Sequence, residues 1–209
     1  IVELCEHKDS LTFKVNFLDE ALTIPIPGKF NATNAMVAAY VGKLEKVTPS
    51  NIKFALKNLV LTKNRVEWLK ASNGADVLSD VYNANPTAMR LILETFQTID
   101  APLGGKKIAV LADMKELGEQ SALLHRDMIT ALDPTKLDLV YLYGEEMLAL
   151  AALAKAKFPS GAVKYFRKDA QADEFSDLQE ALSKDLLPND QLLLKGSNSM
   201  HLSDIVKAL

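Results

Sequence analysis

Hydrophobic and polar residues follow two different patterns along this 209-residue chain. From residue 63 onward, short apolar runs alternate with segments in which apolar residues recur every three or four positions. The runs at 108–112 and 192–194 are apolar throughout, which is typical of strands buried on both faces of a parallel sheet. This alternation of strands and helices predicts an α/β, Rossmann-like domain with a mostly parallel sheet over residues 63–209. Among its elements, we expect a helix that ends at 132, a strand over 163–166 and a last helix over 200–208.

The first 62 residues have a different, α+β pattern. Apolar and polar residues alternate over 11–17, which predicts a half-buried strand, and a short return strand is expected at 22–24. Two prolines and Gly28 then interrupt the pattern, and a helix is predicted over 30–44. A second helix is expected to open at Thr48, because a proline follows it at the first helical position. We expect residues 1–62 and 63–209 to be separate domains.

The stretch 78–89 places several polar side chains where a predicted strand ends and a helix begins. Asn73-Gly74 is the strongest hairpin signal in the chain, and it joins a strand predicted over 66–70 to an antiparallel one over 76–80 that ends at Asp80. Asn85 can cap the following helix, and Pro86 suits its first position. A carboxylate at the strand end suits a sugar hydroxyl or a magnesium-bound water, although a capped turn without any ligand fits the stretch equally well.

The predicted strands are expected to end at one edge of the sheet. Right-handed crossovers between parallel strands bring every carboxyl end to the same side, which is where ligands of open α/β sheets bind. The residues at these ends are Asp80, Asp113, Gly144 and Lys195. Their convergence predicts a ligand-binding edge without identifying the ligand.

Composition and charge exclude several function classes. A net charge of −3 with dispersed Lys and Arg offers no electrostatic case for nucleic acid, and no apolar run approaches the ~20 residues of a membrane span. The single Cys5 suits a reducing compartment, and we expect a cytoplasmic protein. The three histidines have no metal-ligand spacing. Because the sequence starts at Ile1 within a strand-like pattern, we interpret it as a piece of a longer protein.

Common nucleotide-binding motifs do not occur in the chain. Neither G-x-G-x-x-G nor a G-x-x-x-x-G-K-[ST] phosphate loop is found, and there is no G-x-S-x-G nucleophile elbow. Asn31 and Asn34 share a helix face and could contact a base edge, although their position favours helix capping. Taken alone, Arg65 is more often a solvated charge, and His125 more often a surface or packing residue, than a ligand.

Five stretches, taken together and in order, resemble the Mur ligases of peptidoglycan synthesis. The resemblance is strongest to the branch that adds D-alanyl-D-alanine to the UDP-N-acetylmuramoyl tripeptide, because YNANP and DMKELG are characteristic of that branch. The stretches are GKFNATNA at 28–35, NRVE at 64–67, DVYNANP at 80–86, VLADMKELG at 110–118 and KGSNSM at 195–200.

The resemblance implies a three-domain, ATP-dependent ligase that forms an amide bond through an acyl phosphate. Residues 1–62 would be the C-terminal part of the central ATP-binding domain, and 63–209 the complete C-terminal domain. The implied substrates are ATP, UDP-N-acetylmuramoyl-tripeptide and D-alanyl-D-alanine. The family's phosphate loop and the ligands of its Mg2+ are expected in a preceding part of the protein, so the chain by itself is expected to be inactive.

The resemblance also implies contacts with ATP. Asn31 and Asn34 match family positions that face the adenine, Arg65 matches an arginine near the phosphates, and Asp80 matches the carboxylate on the ribose. One position departs from the pattern, because this chain has Phe30 where many members have His. The departure removes any polar role at position 30 and leaves Asn31 as the matching amide.

A second group of residues is implied to contact the incoming dipeptide. Lys115 and Ser199 match positions that hold the carboxylate of the added amino acid, and Asn83 and Asn85 would lie beside that pocket. No catalytic residue or metal ligand is assigned within this chain. The residues alone leave an alternative open, in which the chain is a non-catalytic Rossmann-like or flavodoxin-like module that binds a small molecule or a protein.

Overall fold

The computed structural model describes residues 1–60 and 62–209, which form two compact units, Ile1–Thr62 and Lys63–Leu209. The first unit has a three-stranded antiparallel sheet followed by two helices. Its elements are β1 (Val2–Glu6), β2 (Leu11–Lys14), β3 (Leu22–Ile24), α1 (Lys29–Leu44) and α2 (Pro49–Lys57).

The core of the first unit follows from strand alternation and from small residues on α1. Leu11 and Phe13 are fully buried on the inner face of β2. One turn apart on α1, Ala32, Ala35 and Ala39 are also buried, because their short side chains allow the helix to lie close to the sheet. The predicted strand over 11–17 is too long, since β2 ends at Lys14.

The second unit contains a six-stranded sheet in the order β4-β5-β9-β6-β7-β8. Its strands are β4 (Glu67–Lys70), β5 (Asp76–Asp80), β6 (Lys107–Ala112), β7 (Leu139–Tyr143), β8 (Val163–Phe166) and β9 (Gln191–Lys195). Only β4 is antiparallel to its neighbour, and all six residues of β6 are buried, as expected for a strand covered on both faces. The predicted α/β class with a mostly parallel sheet is confirmed.

Helices cover this sheet and mostly match the predicted ones. They are α3 (Pro86–Thr98), α4 (Ser121–Asp127), α5 (Met147–Lys157), α6 (Phe175–Asp185) and α7 (Leu202–Ala208). The helix predicted to reach residue 132 is shorter, because α4 is followed by a 3-10 turn at Met128–Ala131. The last helix starts later than predicted, because His201 has a left-handed backbone (φ 58°) that separates α7 from the preceding turn.

The hairpin at Asn73-Gly74 forms as predicted. Gly74 has a φ of 97°, and the side-chain oxygen of Asn73 accepts a hydrogen bond from the Ala75 amide at 3.0 Å. The start predicted for the first strand is wrong. Val66 has a positive φ of 48°, which is incompatible with extended backbone, so β4 begins at Glu67.

The register of the sheet brings the strand ends together. Asp80 of β5 lies opposite Lys195 of β9, which in turn lies opposite Leu111 of β6. Ala112 of β6 lies opposite Tyr143 of β7. The loops after β5, β6, β7 and β9 therefore meet at one edge of the sheet.

Lys107 is a buried lysine at the start of β6, at the opposite edge of the sheet from the strand ends. Its ammonium donates to the Phe96 carbonyl at 2.5 Å and to the Ile99 carbonyl, at the end of α3. Burial lowers the pKa of Lys107 from 10.5 to about 8. The folded protein therefore binds fewer protons than the unfolded chain between these pH values, and the free energy of unfolding gains a term that rises with pH across that window.

We expect Lys107→Met to remove this pH-dependent contribution to the free energy of unfolding. Denaturant unfolding measured between about pH 7 and 10.5 should give a smaller upward slope for the variant than for the unaltered protein. The exposed neighbour provides a matched control, because Lys106→Met should keep the original slope. Equal slopes for Lys107→Met and the unaltered protein would contradict the prediction.

Candidate functional site

The candidate site lies where the loops after β5, β6 and β9 meet. We call it the carboxyl-edge site and define it by Asp80, Asp113, Lys115, Lys195 and Ser197. Four of these side chains are buried, and the ammonium of Lys115 is partly exposed. The site therefore combines fixed internal pairs with one cation that a ligand can reach.

Asp80 and Lys195 form a buried ion pair at the centre of the site. The Lys195 ammonium lies 2.9 Å from Oδ2 of Asp80 and also donates to the main-chain carbonyls of Asp80, at 3.2 Å, and of Asn83. Burial lowers the pKa of Lys195, although the Asp80 carboxylate opposes this shift by favouring the charged form. The sequence predicted the position of both residues, but not that they are partners.

Arg65 lies beside this pair and is exposed. Its guanidinium carbon lies 4.3 Å from the centre of the Tyr82 ring, a cation–π arrangement that orients the planar group. The charge of Arg65 also contributes to the lowered pKa of Lys195, after the effect of burial. A fixed and solvent-accessible guanidinium is suited to bind an anion such as a phosphate.

Asn83 and Asn85 use their side-chain oxygens locally. Oδ1 of Asn83 accepts a hydrogen bond from the Ala84 amide, and Oδ1 of Asn85 accepts one from the Ala88 amide, both at 2.8 Å. The predicted capping of α3 by Asn85 is therefore confirmed. Their NH2 groups are the donors that these side chains can offer to a ligand, and each oxygen has a second lone pair.

Asp113 is a wholly buried carboxylate that supports Lys115. Its Oδ2 lies 2.8 Å from the Lys115 ammonium, and its Oδ1 accepts a hydrogen bond from the Met147 amide at 3.1 Å. Gly144 is packed directly against this carboxylate. The Lys115 side chain is 44% exposed, so Lys115 is accessible to solvent while its ammonium is paired with the buried Asp113.

Ser197 joins two loops of the site and was not predicted as a functional residue. Its hydroxyl oxygen accepts a hydrogen bond from the Lys115 amide at 2.9 Å, and its own amide donates to the Asp113 carbonyl at 3.1 Å. Ser199 lies two residues further on, exposed, in the 3-10 turn Asn198–Met200. The sequence signals for Ser197 are its position after a strand end and its place in the KGSNSM stretch, but neither indicates its role, because its side-chain partner is more than 80 residues away.

His125 is a packing residue whose two ring nitrogens both bond to main-chain groups of the protein. Its Nε2 accepts a hydrogen bond from the Met114 amide, and its Nδ1 donates to the Ser121 carbonyl, both at 2.8 Å. The ring is fully buried. His125 therefore supports the loop that carries Lys115 from behind.

Asn31 and Asn34 lie in the first unit, and the capping role predicted for them is wrong. The residue before α1 is Gly28, and no side chain caps the helix. Asn31 is the third residue of α1, where its amide nitrogen donates to the Pro27 carbonyl at 2.7 Å. Asn34 is exposed.

A search of residues 1–60 and 62–209 finds no group of three or more His, Cys, Asp or Glu side chains placed to hold a metal ion. In the same residues, no helix has both the length and the apolar character needed to cross a membrane.

Sequence comparison identifies similar proteins over the whole chain. Residues 64–198 match a family profile described as Mur ligase, glutamate ligase domain. The chain is 31% identical over 209 residues to the UDP-N-acetylmuramoyl-tripeptide--D-alanyl-D-alanine ligase of Bacillus subtilis (strain 168), covering 99% of this chain and 44% of that protein. It is 26% identical to the Escherichia coli (strain K12) ligase of the same name, covering 100% of this chain and 43% of that protein. The chain thus spans less than half the length of these relatives.

Solved structures share the fold. MurF from Acinetobacter baumannii matches with a TM-score of 0.80 at 23% identity, covering 100% of this chain and 44% of that one. MurF ligase from Thermotoga maritima, solved in complex with ADP, matches with a TM-score of 0.74 at 21% identity, covering 98% of this chain and 44% of that one.

Proposed function

The chain belongs to the Mur ligase family, and we propose that the intact protein containing it adds D-alanyl-D-alanine to UDP-N-acetylmuramoyl-tripeptide with the use of ATP. The name shared by its relatives over nearly the whole chain supports this substrate pair. In this proposal, the unit Lys63–Leu209 binds the incoming dipeptide, and Ile1–Thr62 is the C-terminal part of an ATP-binding domain.

The arrangement of Lys115 is the observation that best supports the proposal. Its side chain is partly exposed, and its ammonium is held by the buried carboxylate of Asp113. A lysine fixed in this way can pair with the carboxylate of an incoming dipeptide without first losing rotamer freedom. Ser199 is exposed on the adjoining loop and can donate its hydroxyl to the same carboxylate, and the NH2 groups of Asn83 and Asn85 are further donors at this edge.

ATP would contact a second group of residues. The exposed guanidinium of Arg65, oriented by Tyr82, fits a phosphate, whose negative charge it would balance. The ion pair of Asp80 uses Oδ2, so Oδ1 is the oxygen that would accept a hydrogen bond from a ribose hydroxyl. The amides of Asn31 and Asn34 remain proposed contacts of the adenine, and Asn34 is the more accessible of the two.

The proposed reaction has two steps. The terminal carboxylate of the tripeptide attacks the γ-phosphorus of ATP, which releases ADP and forms an acyl phosphate. The amine of D-alanyl-D-alanine then attacks the acyl carbon, the amide bond forms, and inorganic phosphate leaves. Mg2+ would neutralise phosphate charge when bound, and we assign it no ligand in this chain. Lys115 contributes by holding the dipeptide so that its amine is close to the acyl carbon.

We expect Lys115→Met to raise the KM for D-alanyl-D-alanine by about 10-fold or more, because a charged hydrogen bond contributes roughly 1.5–3 kcal/mol. The measurement is dipeptide-dependent phosphate release by the intact protein with ATP and UDP-N-acetylmuramoyl-tripeptide. The KM for ATP should change little, and Lys155→Met, an exposed lysine on α5, serves as the matched control.

Two results of this assay would count against the proposal. An unaltered protein whose phosphate release does not respond to the dipeptide would reject the ligase function, and no phosphate release at all would favour a non-catalytic binding module. A dipeptide-dependent activity that Lys115→Met leaves unchanged would keep the ligase and reject the role given to Lys115.

A further inference from the structure

We propose that Ser197 is a positioning residue for dipeptide binding. It holds Lys115 in a fixed position relative to the turn that carries Ser199. The proposal rests on the function proposed above. Ser197 is buried, so its hydroxyl is not itself offered to a ligand. Its effect on the substrate would pass through the two exposed side chains.

The two hydrogen bonds between the loops hold Lys115 in place. The Lys115 amide donates to Oγ of Ser197 at 2.9 Å, and the Ser197 amide donates to the Asp113 carbonyl at 3.1 Å. Asp113 also holds the Lys115 ammonium at 2.8 Å. Lys115 is therefore fixed at both ends, at its main chain by Ser197 and at its side chain by Asp113.

Ser197 also begins the turn that presents Ser199. Its carbonyl accepts a hydrogen bond from the Met200 amide at 2.9 Å, which closes the turn around Ser199. Gly196 precedes it, and a Cβ there would lie 2.7 Å from the Cβ of Ala112. The loop after β9 is therefore packed tightly on the end of β6, and the hydroxyl of Ser197 is the side-chain contact from this loop to the Lys115 amide.

Loss of the hydroxyl would leave the main-chain amide of Lys115 without its acceptor in a partly buried contact. An unsatisfied donor is unfavourable, and the loop can satisfy it with another acceptor, such as water, only by moving. Movement of the loop displaces the Lys115 ammonium from the position supported by Asp113. The consequence for binding should be confined to the dipeptide.

We expect Ser197→Ala in the intact protein to raise the KM for D-alanyl-D-alanine about 10-fold and to leave the KM for ATP within about twofold, a 10-fold change corresponding to ~1.4 kcal/mol. Combined with Lys115→Met, Ser197→Ala should have a much smaller further effect, because only the part that acts through Ser199 remains. Ser183→Ala is the matched control, since this exposed serine bonds only within α6. Ser197→Cys keeps the size with a weaker acceptor and should show a smaller rise than Ser197→Ala.

A measurement without turnover tests the same contact. Amide hydrogen exchange at Lys115 should become faster in Ser197→Ala and stay unchanged in Ser183→Ala. An unaltered KM for the dipeptide, or effects of Ser197→Ala and Lys115→Met that add fully, would overturn the positioning role.

If the unaltered protein shows no dipeptide-dependent activity, the function fails instead, and faster exchange at Lys115 would still establish the loop contact. If Ser197→Ala does not fold, the Ser197→Cys variant decides by the same two readouts.

Discussion

Lys195→Met is expected to lower the free energy of unfolding by about 3–5 kcal/mol, which is the usual cost of removing one partner from a buried ion pair. The side chain of Lys195 is 2% exposed, and its ammonium compensates the Asp80 carboxylate at 2.9 Å. It also satisfies the main-chain carbonyls of Asp80 and Asn83. Methionine fills the volume but leaves a buried charge and two carbonyls without their donor.

The double variant Lys195→Met/Asp80→Asn separates charge from packing. Removal of the carboxylate charge should recover part of the loss, because no uncompensated anion remains, and a double-mutant cycle by denaturant unfolding measures the coupling. Lys184→Met is the control, since its ion pair with Glu180 is exposed and its loss should change stability little. A loss below about 1 kcal/mol for Lys195→Met would mean that the pair does not hold the edge together.

Gly144→Ala is expected to destabilise the protein by about 3 kcal/mol or more, because strained backbone and overpacking each cost roughly 1–3 kcal/mol. A Cβ at this position would lie 2.6 Å from Oδ2 of Asp113 and closer still to Oδ1. The carboxylate cannot move away easily, since it is bonded to Lys115 and to the Met147 amide. Gly144 also has a φ of 128°, which L side chains rarely adopt.

A second glycine separates the two causes. Gly161 has a φ of 83° but has no heavy atom within 4 Å of an added Cβ, so Gly161→Ala should show backbone strain alone, about 1–2 kcal/mol. Thermal or denaturant unfolding of both variants measures the difference. Equal losses at the two positions would show that contact with Asp113 is not what requires glycine at 144.

Local chemistry explains why much of the fold was predictable from the sequence. The hairpin at Asn73-Gly74 and the capping of α3 by Asn85 depend on residues within three positions of each other. The strand at 163–166 was predicted with its observed bounds, because three of its four residues are strand formers, which is a local signal. Errors fell at Val66 and His201, whose positive φ moved the start of β4 and of α7.

The candidate site was only partly readable in the same way. Arg65, Asp80 and Lys115 were selected because ordered motifs resemble those of a family, and their proposed roles remain predictions. Ser197 and Lys195 both lie in the KGSNSM stretch. Ser197 was given no role, and Lys195 was recognised only as a strand end, because neither side chain has a partner nearby in sequence. Burial, which makes both residues important, depends on neighbours that sequence spacing does not identify.

The sequence by itself determined the class of the fold, because alternating apolar runs and helical periodicity require a covered, mostly parallel sheet, and it determined that the strand ends share one edge. Only the tertiary structure decided which residues at that edge are partners. β9 is the last strand in the sequence, but it lies between β5 and β6 in the sheet. This position brings Lys195 to Asp80, 115 residues away, and Ser197 to Lys115, 82 residues away. Strand order is set by packing over the whole sheet, and so these contacts have no local signature in the sequence.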